Sequence, residues 1–225
     1  MRVAVKNARL LAASLLAGLF GAVALVYLTR PGEPVYEGKP VSYWVRGLAS
    51  IQMTHNAASN EAFQHIGTNA LPVLIKMLRT KDSKVKLWLR NLYDKQSLVH
   101  HHFTLAEEDR IPAVLGFSEL GSRAKPAVPA LIDLLADEEI SEDAARALAA
   151  IGSEAVEPLV SALMNRNQKI RLGAIAALGG VGSNARQAVP ALFRCLGDEQ
   201  STIRLAAAEA LKKINPEPSV KGRTE

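Results

Sequence analysis

The chain lacks most of what disulfide-stapled domains and small enzymes are built from. Among 225 residues there is one cysteine, so no internal disulfide can form. Aromatic residues make up 5%. No period-2 run of β-branched residues occurs, so almost no strand is expected. Few aromatics beside abundant alanine argue against a β-sandwich and for thin layers of helix on helix. Histidine occurs five times and is never followed by glutamate, and no nucleophile–base or metal-ligand motif is recognisable. Composition therefore points to no catalytic residue, no metal ligand and no cofactor.

Charge is missing from one long stretch. Leu10 to Leu28 holds no charged residue, and as a helix it just spans a hydrocarbon core. The basic segment 1–9 carries Arg2, Lys6 and Arg9, which favours that end in the cytoplasm. A transmembrane anchor over 10–28 is expected, with the C-terminal domain outside a bacterial inner membrane. The alternative is a signal sequence cleaved at Ala22-Val23-Ala24, giving a secreted or periplasmic protein. The apolar run continues through Leu25 to Leu28 past that site, which favours the anchor. Residues 29–41, with three prolines and two glycines, read as a linker.

What is present is a repeat. Gly67, Gly121, Gly152 and Gly182 each follow a helical pattern, and Asn215 takes a fifth such slot. One residue earlier stand Ile66, Leu120, Ile151, Val181 and Ile214; four earlier, Phe63, Phe117, Leu148, Leu178 and Leu211. Five earlier stand Ala62, Gly116, Ala147, Ala177 and Ala210; eight earlier, Ser59, Ala113, Ala144, Ala174 and Ala207. These offsets lie on one helical face. The slot itself suits a left-handed C′ cap, which glycine or asparagine adopts cheaply. A second helix then opens at Pro72, Pro129, Pro158 and Pro190, where proline costs no hydrogen bond. Its core positions are Leu74, Leu131, Val160 and Leu192, then Met77, Leu134, Leu163 and Cys195, then Leu78, Leu135, Met164 and Leu196. Two helices per unit and a period near 30 residues predict an all-α protein, an α-solenoid over 42–214.

The stretches GSRAKPAVPALIDLLAD, IRLGAIAALGGVG and GSNARQAVPALFRCLGDEQSTIRLAAAEALKKI resemble HEAT repeats, in particular the phycobilisome-lyase-like variety. The opening VYEGKPVSYWV is similar to the start of membrane-tethered bacterial HEAT-repeat proteins. The resemblance implies a non-enzymatic scaffold that binds a protein partner on a concave face built from the second helices. Four residues past each proline that face would show Lys76, Asp133, Ala162 and Arg194; seven past, Arg79, Ala136, Asn165 and Gly197. It also implies that Arg110, Arg171 and Arg204, with Asp82, Asp137 and Asp198, form structural ladders between neighbours. HEAT-like enzymes, among them bilin lyases, and HEAT-like DNA glycosylases supply the alternative readings. Against nucleic acid, Asp133 interrupts any basic stripe and residues 94–225 carry a net charge of −3.

Three places break the pattern. Ser42 is a candidate N-cap for a first, capping helix carrying Tyr43, Trp44, Val45 and Leu48. The stretch 76–95 is strongly basic and a candidate for anionic lipid contact, its helix expected to bury Val85, Leu87 or Trp88, and Leu92. The interval from Gly67 to Gly121 is 54 residues, which places an insertion near 96–108. That insertion holds His100, His101 and His102, and adjacent histidines converge on a metal only in an unusual loop. The tail 215–225 is polar and expected to fray.

Overall fold

Small residues at the −5 and −8 positions before each glycine let helices approach closely, and the chain folds accordingly. The computed structural model describes residues 33–50, 53–94 and 105–215. The apolar stretch 10–28, His100 to His102 and the tail beyond Asn215 lie outside the described residues. Among the described residues no helix is long and apolar enough to cross a membrane.

Among the described residues eleven α-helices follow a short hairpin: α1 (Val41–Leu48), α2 (Met53–Ile66), α3 (Leu71–Leu78), α4 (Lys84–Asp94), α5 (Ala106–Leu120), α6 (Val128–Leu134), α7 (Ser141–Ile151), α8 (Ser153–Ala162), α9 (Gln168–Val181), α10 (Val189–Cys195) and α11 (Ser201–Ile214). The first helices of successive repeats pack on one another, α5 on α7, α7 on α9 and α9 on α11. Second helices pack against the first helix of the next repeat, as α3 does on α5 and α10 on α11. Phe63, Phe117, Leu148 and Leu178 are fully buried, each contributing about 1.5–3 kcal/mol relative to exposure. Ala113, Ala144, Ala174 and Ala207 are buried in the small-residue slot, and Ser59 is buried beside them in the first repeat.

The glycine slots have positive φ, between 51° and 80°, but ψ is −130° to −140° where it is defined at the cap. This is not the left-handed helical cap expected from the sequence. It lies near the region that only glycine occupies without strain. Asn215 differs again, at φ −128° and ψ 73°, although its N–H still donates to the Leu211 carbonyl. Asparagine therefore ends its helix with the same hydrogen bond but at a negative φ, without the positive φ of the glycine slots.

Pro72, Pro129 and Pro190 stand in the first turn of α3, α6 and α10. Pro158 does not open a helix. Gly152 leads directly into α8, and Pro158 falls in its second turn, where the carbonyl it would bond belongs to Glu154. Burial shows the register: Val156, Leu159, Ala162 and Leu163 match Val128, Leu131, Leu134 and Leu135. Anchoring this repeat on its proline therefore misplaces every position by one. Met164, expected in the core, is 80% exposed.

Two more expectations change. Helix α1 starts at Val41 with Pro40 at its N-cap, so Ser42 is inside the first turn rather than at the N-cap. The expected 29–41 linker ends in structure: Val35–Tyr36 pairs antiparallel with Lys39–Pro40. Trp44 Nε1 donates to the Tyr36 carbonyl at 3.1 Å, and the Tyr36 ring stacks on His65 at 5.8 Å. Arg46 pairs with Asp109 at 2.8 Å, tying α1 to α5.

Helix α4 is the excess in the long interval. The place beside α1 and α3 that the next repeat must fill is taken by α5, whose Ala106 is already buried. The insertion thus begins with α4 and ends before Ala106, rather than running through 108. With no slot left for it, α4 exposes Val85, Leu87, Trp88 and Leu92, the residues expected to face inward.

Candidate functional site

The second-helix face is carried by α3, α6, α8 and α10. Each of these helices turns Leu74, Leu131, Leu159 or Leu192 into the core and leaves the residue two positions on at the surface. Lys76, Asp133 and Arg194 are exposed there, as expected, and Arg79 is exposed at the C-cap of α3. Ala162 is buried and does not belong to the face. The corrected register puts Ser161 in its place, and Met164 in the place given to Asn165. The hydrophobic spacing Val156-Leu159-Ala162-Leu163, laid on Val128-Leu131-Leu134-Leu135, carries that signal; the proline obscured it.

Between α8 and α10 this face opens into a cleft of about 360 Å³. Leu163 and Ala191 form its apolar floor, with the Met164 thioether at the rim. Cys195 also lines it, half-buried, and burial holds its thiol above the ordinary range. That shift disfavours the thiolate, so Cys195 is poorly suited to act as a nucleophile. Arg166, Arg171 and Arg194 bring three guanidinium groups to the cleft, and Asp198 brings one carboxylate.

Arg171 is committed to the fold. Its Nη1 donates to the Asn165 carbonyl at 3.0 Å and to that of Arg166 at 3.4 Å, while Nη2 lies 3.7 Å from Asp198 Oδ2. Arg204 repeats this on the carbonyls of Asp198 and Glu199, at 2.8 Å each. Arg110 reaches Glu139 at 3.0 Å and lies 3.1 Å from Asp143. Asp137 and Asp198 each accept the backbone N–H two residues on. Asp82 accepts from the Ala106 N–H at 3.0 Å and from Lys86. The arginine and aspartate ladders are thus turn-locking devices. Lys86 lowers the Asp82 carboxyl and Lys81 lowers that of Asp137. Asp143 is raised, because burial outweighs the nearby Arg110 and Arg146.

A second, shallow furrow of about 540 Å³ runs along the first-helix side, floored by Ala145, Ala149, Gly173, Ala176 and Gly180. Its rim balances Glu142 against Arg146 and Lys213. Among the described residues no three His, Cys, Asp or Glu side chains gather where they could hold a metal.

Helical hairpins stacked in register, with turn-locking arginines between them, define a helical-repeat protein. The description "HEAT repeats" matches residues 156–221, and "PBS lyase HEAT-like repeat" matches residues 142–163. Residues 142–221 therefore carry HEAT-repeat signatures. No curated protein matches the chain. Among solved structures, it is similar to a designed armadillo repeat protein in complex with the peptide (KR)4, at 18% identity over 78% of this chain and 99% of that one, with a TM-score of 0.31. The MAST/Orbit N-terminal domain is similar at 17% identity over 82% of this chain and 84% of that one, with a TM-score of 0.36. At these scores neither likeness carries an argument about this chain.

Proposed function

We propose that the protein is a non-enzymatic scaffold, tethered to a membrane through residues 10–28, that holds a protein partner on its second-helix face. The observation that carries this reading is the division of labour between the two helices of each repeat. First-helix slots are filled by the neighbouring repeats, whereas Lys76, Asp133 and Arg194 stay exposed on three of the four second helices without an ion pair among the described residues. Such a face suits an uneven protein surface better than a small substrate. Cross-linking and capture from membranes tests it. Replacing Lys76, Asp133 and Arg194 together should remove one or more partners that the wild type captures, and an unchanged partner list would refute the assignment.

Location is tested by fractionation and by the mature N-terminal sequence. A chain beginning at Leu25 would replace the anchor with a cleaved signal. Contact of the 76–95 stretch with anionic lipid is supported by α4, where Val85, Trp88 and Leu92 form an exposed apolar stripe flanked by Lys84, Lys86 and Arg90. That is the pattern of a helix lying at a membrane surface. Flotation with phosphatidylglycerol vesicles should weaken on Trp88→Ser if α4 makes this contact.

A further inference from the structure

We infer that the cleft between α8 and α10 receives an extended acidic segment of the partner, with a Glu or Asp carboxylate beside an apolar side chain. This rests on the scaffold reading and names the chemistry of the segment that face would hold.

The argument is one of charge and shape together. Arg171 is engaged by the turn carbonyls and paired with Asp198. Asp198 is engaged in turn, since its Oδ1 accepts the Gln200 N–H at 3.0 Å. These two groups neutralise one another. Arg166 and Arg194 remain, both exposed, with no ion pair among the described residues. No carboxylate other than Asp198 lines the cleft among the described residues, so it carries an uncompensated charge near +2. A guanidinium favours a planar carboxylate, which it binds through two parallel hydrogen bonds. The same cleft is lined by the buried Leu163 and Ala191 and by the exposed Met164. An unbranched thioether adapts to varied apolar side chains. The cleft volume of about 360 Å³ lies at the low end of ligand pockets. It therefore takes one or two side chains of a longer segment that continues along the face. A free carboxylate ion would leave the floor unused, and a purely apolar segment would leave two arginines unanswered.

Cys195 makes the test direct, because it is the one cysteine in the chain and lines the cleft. The full-length protein in a neutral detergent is alkylated with iodoacetamide at mildly alkaline pH, which offsets the raised thiol. The probes are the acetylated peptide GELELEG, its glutamine counterpart GQLQLQG, its lysine counterpart GKLKLKG and phosphatidylglycerol vesicles. GELELEG should slow alkylation, and more so at low salt. Arg166→Ala and Arg194→Ala should each raise the half-protecting concentration by about tenfold. Arg186→Ala, exposed in the turn between α9 and α10, should not change it. Circular dichroism confirms that each variant is folded.

Equal protection by GELELEG and GQLQLQG would overturn the inference, as would preference for GKLKLKG or protection by the vesicles alone. So would protection of the Arg166→Ala, Arg194→Ala double variant at the wild-type concentration. If the peptide fails while capture still depends on Lys76 and Asp133, the scaffold reading stands and this inference falls.

Discussion

Replacing Gly182 by alanine separates backbone conformation from packing. Gly182 ends α9 at φ 66° and ψ −140°. A Cβ built there meets nothing nearer than the Lys213 carbonyl oxygen at 4.0 Å. Space is therefore available, and any loss must come from the dihedral angles. Holding a residue with a side chain in this region costs about 1–3 kcal/mol. Lower entropy of the unfolded chain returns part of that, about 0.4–1 kcal/mol. The expected net destabilisation is about 1–2 kcal/mol, or about 2–8 °C in Tm for a unit of this size. Gly197→Ala is the control, since Gly197 has no positive φ and its nearest neighbour is the Arg194 carbonyl oxygen at 3.6 Å; it should stay within about 0.5 kcal/mol of the wild type. Urea unfolding followed by far-ultraviolet circular dichroism measures both. Repeats contact only their neighbours, so the loss should fall first on α9 to α11 and broaden the transition. If Gly182→Ala and Gly197→Ala unfold at the same midpoint, the glycine slot is not a conformational requirement and the reasoning fails.

Gly180→Ala should destabilise for the opposite reason: its Cβ would stand 2.7 Å from that of Ala149, and overpacking there costs about 1–3 kcal/mol by urea unfolding. Ser59→Ala should stabilise by about 1 kcal/mol in the same assay, because the buried Ser59 hydroxyl has no hydrogen-bond partner and the other repeats carry alanine in that slot. Asp82 and Asp137 have lowered folded-state values, so their contribution is complete above the ordinary carboxylate pKa and is lost as pH falls through the folded values. Stability should therefore drop on acidification below about pH 4, and Asp82→Asn with Asp137→Asn should flatten that drop in thermal melts.

The repeat was readable because its period, its small residues and its glycines are local. Ala113, Ala144, Ala174 and Ala207 are buried as the spacing requires. The same local logic failed where two signals for one helix start disagreed. In the third repeat the proline and the apolar pattern are one residue out of step. Burial follows the apolar pattern, because a shift would move Val156, Leu159 and Leu163 together out of the core at about 1.5–3 kcal/mol each, more than the cost of about 3 kcal/mol for placing Pro158 in the second turn. That one-residue shift kept Ser161 and Met164 out of the expected face and the cleft out of view. Arg166 and Arg194 are 28 residues apart, and no spacing rule within a helix brings them to one opening.

By itself the sequence determined the repeat, the core residues of the first helices and the glycine stops, since each is set by periodicity within a few turns; the third repeat's second helix was misread by one residue. It also identified the arginine and aspartate ladders through the family pattern. Tertiary structure decided which helices are left over. Helix α4 is amphipathic, yet α5 takes the place beside α1 and α3, so the apolar side of α4 faces outward. It also decided which charges are spent, because Arg171 donates to carbonyls of the preceding turn and pairs with Asp198 while Arg166 and Arg194 have no ion pair among the described residues. Amphipathicity is a property of one helix, but burial and charge compensation require a neighbour, and only the packed chain supplies one.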